Sequence, residues 1–269
     1  MIKIGIVGAT GYAGAELARL LLQREDCEII GFGSKSFVGE VYSSIYRGLY
    51  QYADQVCEND DVLALSKKAD VILTATPQGF LAENISEEVL SHCKIIDLSA
   101  DFRIKDANVY EAWYKIPHKS KEFITEAVYG LPECNREQIK TARLVANPGC
   151  YPTCSILSLL PLLKHGLIEE NSIIIDAKSG TSGAGRSPQA DNLFCEVNEN
   201  IKAYGIASHR HTPEIEEQLS KAAGTGIVLS FTPHLVPMMR GILVTAYASL
   251  KPNATAKTVR DAYEREYGS

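Results

Sequence analysis

Short apolar runs alternate with helical patterns through the first half of the chain. The run Ile2–Val7 is apolar throughout, as expected for a strand that is buried on both faces of a sheet. An amphipathic pattern over Ala13–Gln23 predicts a helix. The same criteria predict another helix at Leu81–Ser91. They also predict four more strands, at Glu28–Phe32, Asp70–Ala75, Lys94–Leu98 and Arg143–Ala146. This alternation predicts an α/β fold with a Rossmann-type, doubly wound parallel sheet.

The pattern changes after Pro148. Longer strands with partial alternation predict a mixed sheet that is covered on one face, and therefore a second, α+β domain. We place the boundary by this change and expect one domain at 1–148 and another at 149–269. The elements predicted in the second are helices at Thr153–Lys164, from near Thr212 and at Ala256–Tyr267, strands at Ser172–Ala177, Ile227–Thr232 and Gly241–Leu250, and a turn-rich segment at Lys178–Pro188.

Composition narrows the class of protein. A net charge of -6 gives no electrostatic reason to expect a nucleic-acid partner. No apolar run reaches the roughly 18 residues of a membrane helix. The glycine-rich start contains the charged residues Glu16 and Arg19, which argue against a signal peptide. Seven cysteines at scattered spacings form neither a disulfide framework nor a Cys-x-x-Cys metal pair. We expect free thiols in a reducing cytoplasm and no bound metal.

The segment Gly8-Ala-Thr-Gly-Tyr-Ala-Gly14 follows the first strand and opens a helix. Gly8 permits a tight turn, Gly14 allows close packing, and the helix N-terminus attracts a pyrophosphate. Such turns also serve packing alone. The second strand ends in Gly33-Ser-Lys-Ser, with hydroxyls and a cation in place of the carboxylate that binds the NAD ribose. This favours NADP, although Lys35 also suits a solvated loop.

Cys150 lies in Asn147-Pro-Gly-Cys150-Tyr-Pro-Thr, between a strand and a helix. A cysteine just before a helix N-terminus has a stabilised thiolate, and the same N–H groups hold an oxyanion. The other interpretation is a buried structural cysteine, which we expect for Cys154.

His209-Arg-His211-Thr212-Pro-Glu214 carries a helix start, with Thr212 as N-cap and Pro213 in the first turn. We expect the histidines in an extended segment, pointing to opposite sides, so that one faces the site and shuttles protons. Glu214 is a candidate to orient that imidazole. Both histidines also suit a surface or capping role.

The turn-rich Lys178–Arg186 segment allows close approach of backbone to a ligand, or forms a mobile surface loop. Arg103 and Arg240 are candidate anion clamps, since arginine binds carboxylate or phosphate with two hydrogen bonds. A solvated surface position is the ordinary alternative for each.

Together these segments resemble the N-acetyl-gamma-glutamyl-phosphate reductases, arginine-biosynthesis relatives of the aspartate-semialdehyde dehydrogenases. The resemblance runs through nearly the whole chain and is carried by GATGYAGAEL, DLSADFR, AVYGLPE, LVANPGCYPT, KSGTSGAGR, HRHTPEI and MMRG. It implies an NADP-dependent acyl-phosphate reductase (a phosphorylating aldehyde dehydrogenase) that is a homo-oligomer, dimer or tetramer. It also implies an NADP-binding domain followed by a catalytic and oligomerisation domain.

The resemblance implies a role for each candidate residue. Cys150 attacks N-acetyl-glutamyl 5-phosphate, the thioester is reduced by NADPH to the 5-semialdehyde, and His209 rather than His211 serves as acid and base with Glu214. The resemblance also implies that Ser182 and Gly183 lie near the nicotinamide. With these two, the candidate cofactor-binding residues are Gly8, Thr10, Gly11, Tyr12, Ala13, Gly14, Ser34, Lys35 and Pro77. The candidate substrate-binding residues are Arg103, Asn147, His211 and Arg240.

The chain departs from this family at Tyr267-Gly-Ser269, where relatives continue with a strand and a returning C-terminal helix. The expectation is a chain that lacks this segment. Two alternatives to the reductase stay open: an aspartate-semialdehyde dehydrogenase, against which HRHTPEI and AVYGLPE argue, and a non-catalytic fragment that binds nucleotide or a partner subunit.

Overall fold

The computed structural model describes residues 1–268 and divides the chain into two compact units, which meet in sequence between Pro148 and Gly149. The first unit is built on a six-stranded sheet, in the order β2-β1-β3-β4-β6-β5, in which every neighbouring pair is parallel. Its strands are β1 (Ile2–Val7), β2 (Cys27–Phe32), β3 (Val71–Thr74), β4 (Lys94–Asp97), β5 (Val128–Tyr129) and β6 (Leu144–Ala146).

Helices cover this sheet on both faces. They are α1 (Tyr12–Leu21), α2 (Tyr42–Ile45), α3 (Val62–Ser66), α4 (Phe80–Asn84), α5 (Glu87–His92), α6 (Ala107–Tyr114) and α7 (Pro132–Thr141). Two buried clusters result: one includes Ile6, Ala18 and Phe32, and the other includes Leu65 and Ile72. The predicted doubly wound parallel sheet is confirmed, because its strands are apolar on both sides and need a helical layer on each.

The predicted helix over Leu81–Ser91 is wrong in one respect, since the structure has two short helices there. Ile85 is extended between α4 and α5, and the Ser86 side chain accepts a hydrogen bond from the Val89 N–H at 3.3 Å. A serine that caps a new helix ends the preceding one, because the N-cap backbone is not helical. The short strand β5 and the helices α6 and α7 were not among the predicted elements.

The second unit has a four-stranded mixed sheet in the order β10-β7-β9-β8. Strands β7 and β9 are parallel, whereas β10 and β8 pair antiparallel with them. Helix α8 packs against two other helices and against β10. The elements are α8 (Cys150–Lys164), β7 (Ile174–Ser179), α9 (Phe194–Val197), β8 (Lys202–Ala203), α10 (Thr212–Ala223), β9 (Ser230–Leu235), β10 (Ile242–Tyr247) and α11 (Ala256–Tyr267).

Burial along β7 alternates, with Ile175 and Ala177 buried and Ile174 half exposed. Leu243 and Tyr247 on β10 are also exposed, at 65% and 56%. The prediction of a mixed sheet covered on one face is confirmed. Within residues 1–268, no helix has the length and apolar character needed to cross a membrane.

Candidate active site

The glycine-rich turn between β1 and α1 has the geometry of a phosphate-binding turn. Gly8 has a φ of +74°, and its N–H donates to Asp60 Oδ1 at 2.8 Å. A Cβ on Gly14 would lie 2.5 Å from the Gly8 carbonyl oxygen, so the helix sits against the turn as closely as glycine allows. Gly11 is the N-cap and has no side chain to cap α1. The turn therefore presents a helix N-terminus beside β1, where β2 and β3 lie on opposite sides, as at the nucleotide crevice of doubly wound sheets.

The end of β2 differs from the sequence-based picture in one important way. No carboxylate follows β2 in the chain, yet Asp60 places one there, since its Oδ1 would lie 2.8 Å from a Cβ on Gly33. Burial raises the pKa of Asp60, and the Gly8 N–H and the Lys35 charge oppose that rise. Ser34 is fully buried and its hydroxyl lies 2.8 Å from that of Thr10, whereas Lys35 is exposed. Sequence reasoning missed Asp60 because nothing local links it to a turn 52 residues away.

The loop after β3 carries the candidate Pro77, which is exposed. A buried carboxylate, Asp101, fixes this loop: its Oδ1 accepts from the Gly79 N–H at 2.7 Å and its Oδ2 from the Ala82 N–H at 3.1 Å. The Tyr110 hydroxyl also donates to Asp101, at 2.8 Å. Asp101 belongs to the DLSADFR segment, so one role of that segment is to fix the loop that follows β3.

Arg103 is buried, with 6% of its surface exposed. Its Nε donates to the Asn147 carbonyl at 2.7 Å and a terminal nitrogen donates to the Leu98 carbonyl at 2.6 Å. Asn147 in turn donates its backbone N–H to the Asp97 carbonyl at 2.8 Å. The structure thus gives Arg103 a structural role, the joining of the segments that follow β4 and β6. Its contact with a substrate stays a prediction.

The sequence predicted that Cys150 lies just before a helix. In the structure it is the first residue of α8. Its side chain is exposed, whereas Cys154 is half-buried one turn later. The N-cap Gly149 has no side chain, and its N–H donates to the buried Glu214 carboxylate at 2.9 Å. An accessible thiol at the N-terminus of a 15-residue helix has the position in which helical N–H groups favour a thiolate.

The two histidines of the HRHTPEI segment lie together. Their ring centroids are 4.9 Å apart, and both rings contact Tyr151 edge-on, at 5.5 Å for His209 and 5.9 Å for His211. The prediction that they point to opposite sides of an extended segment is wrong. The backbone turns here, with the Thr212 N–H donating to the His209 carbonyl at 3.0 Å, and a turn breaks the alternation of a strand. The N-cap of α10 is His211, so Thr212 is already helical.

Burial lowers the pKa of His209 to about 4, and the neighbouring Arg210 charge adds to that effect. The His211 N–H donates to His209 Nδ1 at 3.1 Å, which assigns the ring proton of the neutral imidazole to Nε2. At neutral pH the imidazole is therefore neutral, with its ring held by backbone. Nδ1 is the ring nitrogen that can take a proton, and it does so only when it releases the His211 N–H.

A pair of tyrosine hydroxyls completes the cluster and was not predicted from the sequence. The Tyr151 and Tyr204 hydroxyls lie 2.9 Å apart, and the Tyr204 ring contacts that of His209 at 5.5 Å. Burial raises the pKa of both tyrosines, and a Cys150 thiolate charge raises them further. Both phenols are therefore protonated at neutral pH and lie within electrostatic range of the thiol. Tyr151 follows Cys150 in the chain and was open to prediction, whereas Tyr204 was not.

The KSGTSGAGR and MMRG segments are adjacent in space. Three backbone hydrogen bonds join them: from the Gly180 N–H to the Gly241 carbonyl, from Thr181 to Met238 and from Ser182 to Met239, all at 2.9–3.0 Å. A Cβ on Gly180 would lie 2.7 Å from the backbone nitrogen of Arg240. This brings the candidates Ser182, Gly183 and Arg240 into one region of the second unit, with Gly183 and Arg240 exposed.

Two family models together match nearly all of the chain. One, "Semialdehyde dehydrogenase, NAD binding domain", matches residues 3–142, and the other, "Semialdehyde dehydrogenase, dimerisation domain", matches residues 150–269. These matches, the parallel sheet with its glycine turn and the cysteine at a helix start define the semialdehyde dehydrogenase class.

Curated relatives narrow this class. The chain is 58% identical to the N-acetyl-gamma-glutamyl-phosphate reductase of Lachnoclostridium phytofermentans, over 99% of this chain and 77% of that protein. It is 56% identical to the enzyme of the same name from Campylobacter jejuni, over the same shares. The chain therefore belongs to the N-acetyl-gamma-glutamyl-phosphate reductase family.

Solved structures support the fold. Aspartate semialdehyde dehydrogenase II from Vibrio cholerae superposes with a TM-score of 0.69 over 100% of this chain and 80% of that one, at 15% identity. The Candida albicans aspartate semialdehyde dehydrogenase gives 0.67 over 97% and 75%, also at 15% identity. At this identity the likeness is one of fold.

Proposed function

We propose that this chain reduces N-acetyl-glutamyl 5-phosphate to N-acetyl-glutamate 5-semialdehyde and phosphate, with NADPH as reductant, in arginine biosynthesis. The observation that carries the proposal is the exposed Cys150 at the start of α8, followed by Tyr151, whose ring contacts a half-buried neutral His209, in a chain with 58% identity to a reductase of that name. We assign cofactor binding to residues 1–148 and catalysis and self-association to 149–269. We also propose a reducing cytoplasm as its location, which the free cysteines support.

The steps follow from the side chains of the second unit. His209 takes up the thiol proton at Nδ1, which releases the His211 N–H, and the Cys150 sulfur attacks the acyl carbon as the C–O bond to phosphate breaks. A thioester remains, which divides one difficult step into two easier ones. The backbone N–H groups at the start of α8 hold the oxygen as negative charge develops on it. When bound, the coenzyme supplies a hydride to this carbonyl carbon.

Return of the thiol requires a proton. As the carbon–sulfur bond of the thiohemiacetal breaks, the aldehyde leaves and the sulfur is protonated through His209. The proton that returns to the sulfur is the one that His209 took from it. The one proton taken up overall goes to the leaving phosphate, which would otherwise be a trianion, whereas the aldehyde is neutral. The Tyr151 and Tyr204 hydroxyls are protonated at neutral pH and hydrogen-bonded to each other. We assign them to the hydrogen bonds along which the thiol proton moves.

The residues of the first unit fit a nicotinamide dinucleotide. An uncapped helix N-terminus, a Gly14 site with no room for a Cβ and the positive charge of Lys35 suit a pyrophosphate and a 2′-phosphate. The proposed contacts to the coenzyme are the turn residues Gly8, Thr10, Gly11, Tyr12, Ala13 and Gly14, with Ser34, Lys35 and Pro77, and Ser182 and Gly183 near the nicotinamide. Arg103, Asn147, His211 and Arg240 are the proposed substrate contacts, and Glu214 is a proposed member of the catalytic group.

The test is turnover with two acyl phosphates and two cysteine variants. The purified chain should oxidise NADPH with N-acetyl-glutamyl phosphate and not with aspartyl phosphate. Cys150→Ser should abolish turnover and leave NADPH binding nearly unchanged, because a hydroxyl is far less ionised than a thiol. Cys154→Ser is the matched control and should keep most activity. Reversed behaviour of the two variants would remove Cys150 as nucleophile, and preference for aspartyl phosphate would change the substrate.

A further inference from the structure

Two tyrosines from a distant segment bind carbonyl groups of the glycine-rich turn. The Tyr42 hydroxyl donates to the Ala9 carbonyl at 2.8 Å. The Tyr46 hydroxyl donates to the Thr10 carbonyl at 2.8 Å and approaches the Gly11 carbonyl at 3.3 Å. Three consecutive carbonyls of the turn are thus bound by side chains that lie more than 30 residues further along the chain.

The tyrosines are themselves fixed by packing. Tyr42 is fully buried and its ring stacks on Phe32 of β2, with centroids 4.0 Å apart and planes within 9°. The Tyr46 ring, half-buried, lies 5.5 Å from that of Tyr42. The segment that carries them pairs with itself, since the Tyr42 N–H donates to the Gln55 carbonyl at 2.9 Å. Ring packing and backbone pairing therefore fix the positions of the two hydroxyls.

Binding a carbonyl fixes the N–H on the other side of the same peptide. In a planar trans peptide the C=O and N–H point in opposite directions. The contact to the Ala9 carbonyl therefore sets the direction of the Thr10 N–H, and the contact of Tyr46 to the Thr10 carbonyl sets that of the Gly11 N–H. The Gly11 carbonyl is held by Tyr46 together with the Ala15 N–H of α1, which donates to it at 2.9 Å. The Gly11 N–H closes the turn on the Gly8 carbonyl at 3.1 Å, and the Tyr12 N–H belongs to the first residue of α1.

The electrostatic consequence concerns the pyrophosphate. An amide N–H attracts an anion, and a carbonyl oxygen that turns to the same side repels it. We propose that Tyr46, supported by Tyr42, is a positioning residue of the coenzyme site, whose hydroxyl holds the Thr10 and Gly11 carbonyls away from the pyrophosphate. This inference rests on the proposed function only in assigning the coenzyme pyrophosphate to this turn.

Removal of one hydroxyl tests the inference. Tyr46→Phe keeps the half-buried ring, and Tyr50→Phe is the matched control, since Tyr50 lies in the same segment and is 65% exposed. Two ligands separate positioning from general loosening: NADP⁺ contains the pyrophosphate, whereas adenosine 2′,5′-bisphosphate has the adenosine and 2′-phosphate without it. Calorimetric titration measures both, and thermal unfolding measures stability.

Tyr46→Phe should weaken NADP⁺ binding roughly three- to tenfold, the range expected for one or two hydrogen bonds, and change bisphosphate binding less than about twofold. Tyr42→Phe should act in the same direction, and Tyr50→Phe should change neither. Equal loss for both ligands would overturn the proposal in favour of a structural role, as would unchanged NADP⁺ binding. Turnover is not part of this assay, so a chain that binds NADP⁺ but reduces no acyl phosphate would refute the proposed reaction and leave this result standing. A native chain that binds no NADP⁺ would overturn the positioning role.

Discussion

Alanine should be costly at one glycine of the nucleotide-binding turn and almost neutral at another. A Cβ on Gly14 would lie 2.5 Å from the Gly8 carbonyl oxygen and 2.6 Å from Ala9 Cα, so α1 must move away from the turn. Restoring an ordinary contact of about 3.4 Å requires a shift of roughly 0.9 Å, and overpacking of this kind costs about 1–3 kcal/mol. Alanine regains about 1 kcal/mol of helix propensity. Because the atoms met are backbone and yield little, we expect a cost at the upper end of that range, and so a net loss of about 2 kcal/mol.

Gly11→Ala is the matched control. Its Cβ would meet nothing closer than the Gly8 carbonyl oxygen at 3.5 Å, and its φ of -75° suits any residue. Stability should change by less than about 0.5 kcal/mol. Urea unfolding of both variants measures this difference directly.

Coenzyme binding should follow the same order. Displacing the start of α1 removes at least one charge-assisted hydrogen bond to the pyrophosphate, so Gly14→Ala should weaken NADP⁺ binding roughly tenfold or more. The rate of Cys150 alkylation by iodoacetamide reports on the second unit and should not change. If Gly14→Ala bound NADP⁺ as the native chain does, the assignment of the pyrophosphate to this turn would be refuted.

Three further predictions follow from single side chains. Lys35→Ala should weaken NADPH binding by about 1.5 kcal/mol, or tenfold, and leave NADH binding unchanged; equal loss for both would remove Lys35 from coenzyme selection. Burial and the nearby Asp101 raise the pKa of Asp97 from 3.8 to about 6, so the folded form loses stability as pH rises through that window. Asp97→Asn should abolish this fall, of about 3 kcal/mol at roughly 1.4 kcal/mol per pH unit, and identical pH profiles of urea unfolding would contradict it. Glu214→Ala should cost about 2 kcal/mol, because it leaves the Gly149 N–H buried without its acceptor, whereas Glu214→Gln keeps an acceptor and should cost less in the same unfolding assay.

Local pattern was a good guide where one physical cause dominates. Strand β1 and helix α11 have the predicted bounds, since one is apolar on every side and the other is amphipathic with a threonine cap. Strands β7 and β9 begin two and three residues later than predicted, because half-covered strands lack a sharp apolar boundary. The prediction of an extended histidine segment was wrong for a related reason. The His209 side chain holds a turn there, and no periodicity in the sequence marks such a turn.

The sequence by itself determined the class of fold, the glycine turn and the cysteine at the start of α8, because each depends on residues that are neighbours in the chain. Only the tertiary structure decided the surroundings of these motifs. Asp60 reaches Gly8, Tyr46 reaches Thr10 and Tyr204 reaches Tyr151 across separations of 52, 36 and 53 residues. Partners at such distances are selected by how helices and strands pack and by the need of each buried polar group for a hydrogen bond. Local periodicity records which face of an element is buried but not which side chain meets it there.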